Sequence, residues 1–362
     1  MKTEAELKDF FENGDIHMDV LKNQKTDFKE ILYEKSNWVA RITINRPHVY
    51  NSYSTNALEE LATVFRQAAF DDEVAVIVYT GMGDKAFCTG GDVKEYQERY
   101  TRSPHEYWTY MRLFGAYIES IVNTGKPVVA RINGMAVGGG NESNLACDLA
   151  VIAEHAWVGQ VGAGVGSVAA GGATQWLPIT VGDRRARYML MTNRRIPAYQ
   201  ALEWGLVNQV APSVKKDGAF IEHATPEQIA QAQKGADGYS IDLSKLDEAV
   251  DALAQELVDK FAECIRFTKE QINFWKNFSW HQTIGPARDW LSIHYTSWEP
   301  LEGMSAFVEK RPARYRMLRE RAAQGKSSEF IWGAYEKTCP SCGAKALPEE
   351  FTHCGVCGAG LK

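Results

Sequence analysis

The chain has 362 residues, with 46 acidic and 40 basic side chains and a formal net charge of −6. That balance creates no field that would draw a nucleic acid or an anionic membrane surface. Its opening, Met1-Lys2-Thr3-Glu4-Ala5-Glu6, carries acids and no apolar run, so neither a secretory signal nor a transit peptide is expected. No stretch is apolar for the length a bilayer requires, and cytoplasm is the expected location.

Residues 1–34 are polar and weakly periodic, which suits a peripheral arm. Residues 38–44 read as a strand. Ser54 then heads a helix in which Leu58, Leu61, Val64 and Phe65 recur at helical spacing. Val74-Ala75-Val76-Ile77-Val78 is a buried strand by its length and β-branching, and a glycine-rich loop follows it. A long aromatic-rich helix is predicted over 105–122, with further strands over 127–132 and 147–153. Strands alternating with helices define an α/β fold, in which glycine-rich turns after strands are the ligand positions.

The core spans 35–240. Between 213 and 240 the composition turns to Lys, Asp, Gly, Gln and Ala, the mark of a surface insertion. Residues 244–265 predict one amphipathic helix with Leu246, Val250, Leu253, Leu257 and Phe261 on a stripe. It opens a helical region over 241–325, and Gly325-Lys326-Ser327-Ser328 reads as a hinge into a four-cysteine tail over 326–362.

Two glycine loops carry the chemistry. One is Lys85-Ala86-Phe87-Cys88-Thr89-Gly90-Gly91-Asp92-Val93-Lys94; the other is Ile132-Asn133-Gly134-Met135-Ala136-Val137-Gly138-Gly139-Gly140-Asn141-Glu142. Each runs from a strand end through glycines into a helix N-terminus, where unpaired amides and the helix dipole favour negative charge. Together such loops can hold one oxyanion, although a single glycine loop is more often only a tight turn.

The order and spacing of both loops resemble the crotonase (enoyl-CoA hydratase/isomerase) superfamily over residues 35–212, and again at Leu301-Glu302-Gly303-Met304-Ser305-Ala306-Phe307-Val308-Glu309-Lys310-Arg311. The resemblance implies a spiral of repeated ββα units whose C-terminal helices assemble a homotrimer or a homohexamer. It implies that the Gly91 and Gly139 amides grip a thioester oxygen. Gly90, Gly138, Thr89, Asp92 and Val93 would line the acyl-CoA groove, with the Asn45-Arg46-Pro47 turn and Tyr50 along the CoA moiety. Tyr295, Lys310 and Ser167 match substrate or CoA contacts of related synthases.

Hydratases of this family bracket a water with two glutamates. The first falls on Glu142 and the second on Gly162, where it is absent. The loop from Gly159 to Ser167 instead resembles that of dihydroxynaphthoyl-CoA synthases, although Ala169 replaces the aspartate usual there and Glu142 is a carboxylate those synthases tend to lack. The hybrid, with the Tyr50-Asn51-Ser52-Tyr53-Ser54-Thr55 segment, the insertion and the tail, is most similar to the 6-oxocyclohex-1-ene-1-carbonyl-CoA hydrolases, ring-opening enzymes of anaerobic aromatic degradation. That resemblance implies Glu142 as general base, with its pKa raised by burial beside Met135 and Val137. It implies no catalytic cofactor, since CoA belongs to the substrate. Tyr50, Tyr53, His48 and Ser167 are further candidates for orienting water or ketone, while Lys94 and Glu95 read as a solvated face.

The tail carries Cys339-Pro340-Ser341-Cys342-Gly343 and Cys354-Gly355-Val356-Cys357-Gly358. Two C-x2-C knuckles with glycine after each suit a structural tetrathiolate zinc, in a segment too short to fold on a core of its own. A redox dithiol and an iron–sulfur site are the competing readings. Cys88, Cys147 and Cys264 have apolar neighbours and read as inert core residues.

Overall fold

A hairpin followed by three strand pairs organises the computed structural model, in which residues 27–329 and 332–362 are described. β1 (Ile31–Ser36) and β2 (Val39–Ile44) are antiparallel, joined at Asn37 and Trp38, both at positive φ. Then β3 (Val76–Gly81) is followed closely by β4 (Ala86–Cys88), β5 (Val128–Ile132) by β6 (Met135–Val137), and β7 (Leu149–Ala153) by β8 (Trp157–Gly159). β9 (Arg195–Pro197) and β10 (Gln209–Ala211) complete two sheets, ordered β1-β2-β3-β5-β7-β10 and β4-β6-β8-β9. From β2 onward the six-stranded sheet is parallel throughout.

The continuous apolar runs follow from that parallel sheet. Val76, Ile77, Val78 and Tyr79 are all fully buried, as are Val128, Val129 and Ala130, because helices cover the sheet. The helix Thr55–Phe70 starts where the Ser54 side chain accepts from Ala57 N at 3.0 Å. It buries Leu58, Leu61, Val64 and Phe65 against the sheet and the helix Pro104–Val122, with Phe65 edge-on to Tyr79 at 5.2 Å. Each such side chain contributes roughly 1.5–3 kcal/mol of burial.

Three expectations need correction. The arm read over 1–34 lies outside the described residues as far as residue 26, but by Ile31 it has become an edge strand, buried at Ile31 by pairing with β2. The predicted helix over 244–265 divides into Ser244–Val258 and Ala262–Ile272, leaving Phe261 off the apolar stripe and 85% exposed. The second piece is anchored by buried Lys269, which donates to Asp148 at 2.8 Å and to the Ile121 and Lys126 carbonyls, a polar anchor that apolar periodicity cannot register. Cys264 is exposed as a result, whereas Cys88 and Cys147 are buried with thiol pKa values pushed up to about 12 by burial.

The segment 213–240 is itself folded. β11 (Val214–Lys216) sits between β12 (Ala219–Ile221) and β13 (Tyr239–Ile241) in an antiparallel sheet, with the helix Pro226–Lys234 packed on it.

Candidate active site

Two buried asparagines fix the first glycine loop. Asn51 Nδ2 donates to the Met82 and Ala86 carbonyls, and Asn133 Nδ2 to those of Gly83 and Ala86. Tyr53 then pairs with the loop, its N–H donating to Gly90 O at 2.9 Å and its carbonyl accepting from Asp92 N at 3.0 Å. The second loop turns at Gly138, whose φ of 57° with ψ of −125° is open only to glycine, and enters the helix Gly139–Ala146. A Cβ at Gly140 would stand 2.0 Å from Cys88 O, so the glycine permits the helix to close on β4.

The loops converge. A Cβ placed on Gly90 would lie 2.9 Å from Gly139 N, and among the described residues neither Gly91 N nor Gly139 N has an acceptor. Both glycines face one cavity of about 90 Å³. Two amides without acceptors on a cavity wall are hydrogen-bond donors awaiting an oxygen.

Glu142, one turn into the helix, is 6% exposed and points into the same cavity. Its Oε1 accepts from Gly171 N at 2.7 Å and Ala173 N at 3.3 Å. Burial pushes its pKa up to about 7 against the pull of those two bonds. Gly171 and Ala173 bond to it, and Phe114 lines the same cavity. A carboxyl poised near neutrality can take and return a proton.

Thr89, Gly90, Val93 and Gly138 line the cavity with the two donors, and Ser167 and Tyr295 close its far side, where Tyr295 Oη donates to Ser167 Oγ at 3.0 Å. Gly162 lines it too, at the position where the two-glutamate pattern has its second carboxylate. A Cβ there would come within 2.9 Å of Ser167 O, so the loop as packed has no room for a larger residue.

Other sequence candidates lie elsewhere. Asp92 is an N-cap, accepting from Lys94 N and Glu95 N, and it pairs with Arg46 at 3.3 Å. Arg46 also meets Glu30 at 2.6 Å, so its charge is already matched. Tyr50 is half exposed outside the cavity, its carbonyl accepting from Thr89 Oγ1. His48 and Lys310 are exposed and do not line the cavity. Lys94 is solvated as expected; Glu95 is not, because its carboxylate accepts from both Thr55 N and Thr55 Oγ1.

Sequence reasoning missed a largely aromatic wall. Tyr96, Tyr107, Tyr110 and Phe114, with Met111 among them, line the cavity beside Tyr53 and Tyr295. Tyr107, Tyr110 and Phe114 share one face of the helix Pro104–Val122, a spacing that was legible as an apolar face but not as a cavity wall.

At the other end of the chain, Cys339, Cys342, Cys354 and Cys357 place their sulfurs within 4.8 Å of one another, with Cys339–Cys357 at 3.6 Å and Cys342–Cys354 at 3.7 Å. Gly343 and Gly358 share φ of 74°, and each donates its N–H to the carbonyl of the first cysteine of its knuckle. Four cysteines so close together could hold a metal.

Repeated strand pairs, a parallel sheet and two glycine loops meeting over one buried carboxylate define the crotonase fold and site. The chain belongs to the enoyl-CoA hydratase/isomerase family, whose model matches residues 34–236. Within that family it is 36% identical to a Thauera aromatica protein named 6-oxocyclohex-1-ene-1-carbonyl-CoA hydrolase, over 78% of this chain and 82% of that one. A Geobacter metallireducens protein of the same name is 35% identical over 75% and 76%. Among solved structures, an enoyl-CoA hydratase from Bacillus anthracis is similar with a TM-score of 0.57 and 29% identity, covering 79% of this chain and 99% of that one.

Proposed function

We propose that the protein is a ring-opening acyl-CoA hydrolase that converts 6-oxocyclohex-1-ene-1-carbonyl-CoA into 3-hydroxypimeloyl-CoA. One observation carries the reading: two acceptor-free amides and a single buried carboxyl, with no second glutamate, share one aromatic cavity. The two relatives named for this reaction support it.

Water first adds to the carbon β to the thioester, giving an enolate whose oxygen the Gly91 and Gly139 amides hold, and Glu142 moves the proton. A second water then attacks the ring ketone. The bond between that carbon and the α carbon breaks, its electron pair passing to the same thioester enolate, while the ketone carbon becomes a carboxylate. Glu142 returns its proton to the α carbon. Both steps thus use one oxyanion hole and one carboxyl.

The four tail cysteines fit zinc. Zn–S bonds of about 2.3 Å in a tetrahedron separate the sulfurs by about 3.8 Å, close to the 3.6 and 3.7 Å found. The ion would be structural, with every position filled by thiolate. The helices carrying exposed Phe267, Phe274, Trp275, Phe278 and Trp290 supply an apolar surface for a homotrimer or homohexamer. Among the described residues no helix is long and apolar enough to cross a membrane, and we place the enzyme in the cytoplasm of an anaerobic aromatic degrader.

The test is product mass after supplying the cyclic enone-CoA in ¹⁸O water. Ring opening adds two water molecules and places one label in the hydroxyl and one in the new carboxylate. A product carrying only one added water would show a hydratase instead.

A further inference from the structure

We infer that the Tyr53 hydroxyl forms a second oxyanion site, donating a hydrogen bond to the ring-ketone oxygen while it carries negative charge; this deepens the ring-opening reading and rests on it. Ring opening generates charge at two oxygens in turn. When the second water attacks, the ketone π pair moves onto the ketone oxygen. When the carbon–carbon bond breaks, that pair re-forms the carbonyl and the bonding pair moves to the thioester oxygen. The two glycine amides serve the thioester, so the ketone oxygen needs a donor of its own.

Tyr53 is placed for that role. It is 2% exposed, lines the cavity, and is fixed by its backbone pairing with the first glycine loop and by stacking on Phe114 at 5.8 Å. Its Oη lies beside Gly139, only 1.7 Å from where a Cβ on that glycine would stand. The ketone is β to the thioester carbonyl, so with both oxygens on one face the two lie within reach of adjacent donors. A phenol packed against Gly139 adjoins both positions.

The other phenols of the wall have partners. Tyr96 and Tyr110 share a 2.5 Å hydrogen bond, Tyr295 donates to Ser167, and Tyr107 faces Tyr295. Among the described residues the Tyr53 hydroxyl has no side-chain hydrogen bond, and the residue lines the cavity, where a ligand oxygen can meet its donor. Burial keeps the phenol protonated far above neutral pH, so it donates without losing its proton. The water proton goes to Glu142 and then to the α carbon, and the new carboxylic acid releases the other, so the step balances without Tyr53 ionising.

The test is Tyr53→Phe, which retains the ring that packs on Phe114 and removes only the oxygen. Ring opening should fall by about 100- to 1,000-fold, the loss typical of one oxyanion donor, while hydration falls less than tenfold, so a singly hydrated, unopened intermediate accumulates in the mass spectrum. Tyr79→Phe, whose hydroxyl pairs with Tyr117 at 2.6 Å, should show no such split. Equal loss of both steps in Tyr53→Phe, or full ring opening, would overturn the assignment. A binding arm separates this failure from failure of the ring-opening reading. In the Glu142→Gln background, which blocks turnover of the probe, the protein should bind 2-oxocyclohexane-1-carbonyl-CoA at least tenfold more tightly than cyclohexane-1-carbonyl-CoA, and adding Tyr53→Phe should erase the difference. If wild-type protein opens no ring yet that preference is found, the reaction is misassigned and the Tyr53 contact stands; if the preference persists with Tyr53→Phe, the contact is refuted.

Discussion

The two ends of this chain solve the same problem, holding polar groups in fixed positions, by opposite means. In the core, the Gly91 and Gly139 amides are held by a parallel sheet, two buried asparagines and close helix contacts, so the donors are arranged before any ligand arrives. In the tail, four thiols are brought together by short knuckles and a few turn hydrogen bonds, with only Cys339 and Cys354 buried. The first site is set by the fold itself; the second, on the zinc reading proposed above, depends on a bound ion for its local structure. Damage should therefore abolish chemistry in one region and local structure in the other.

The largest effect is expected at Glu142. Glu142→Gln should lower turnover by about 100- to 10,000-fold, measured as product release from the cyclic enone-CoA, and should remove the acidic limb expected near pH 7 in the wild-type rate profile. The stability effect has the opposite sign. The folded state favours protonated Glu142, so wild-type stability falls as pH rises from the ordinary carboxylate range through about 7, by roughly 3 kcal/mol in all. Denaturant titrations at pH 5 and 8 should show this slope in wild type and a flatter one in Glu142→Gln.

Gly139→Ala comes next. Its Cβ would collide with Tyr53 Oη, so either the donor or the phenol must move, and turnover should drop by about 100-fold or more. Retained activity would show that the close approach is unimportant.

Cys342→Ser probes the other region. Metal content should fall, and limited proteolysis should cut within the tail, while the melting transition of the core stays nearly unchanged. Loss of the core transition would contradict the separation of the two regions. Smallest of all, Ser54→Ala removes a helix cap and should reduce stability by about 1 kcal/mol in urea unfolding, with activity retained.

Much of this contrast was legible in the sequence because it is written in local signals. Gly138 and Gly343 sit at positive φ where the motifs place glycines, and Ser54 caps the helix it heads. Both glycine loops, Glu142, Ser167 and Tyr295 stand out in the sequence, and the structure brings them round one cavity. What escaped depends on contacts distant in sequence. Asp92 looked like a groove residue because it follows Gly91, yet Arg46 and a short helix take up its carboxylate. Tyr96 and Tyr110 are far enough apart that nothing local announces their shared hydrogen bond. Lys269 anchors the second of the two helices through bonds to residues more than a hundred positions away.

The infrared stretch of a ¹³C-labelled thioester carbonyl in a bound, unreactive substrate analogue tests the central claim most directly. Two amide donors converging on that oxygen should polarise the bond and move the band to lower frequency than in water, and Gly139→Ala should reverse part of the shift. A band at its aqueous position in wild-type protein would show that the two amides do not hold the thioester oxygen.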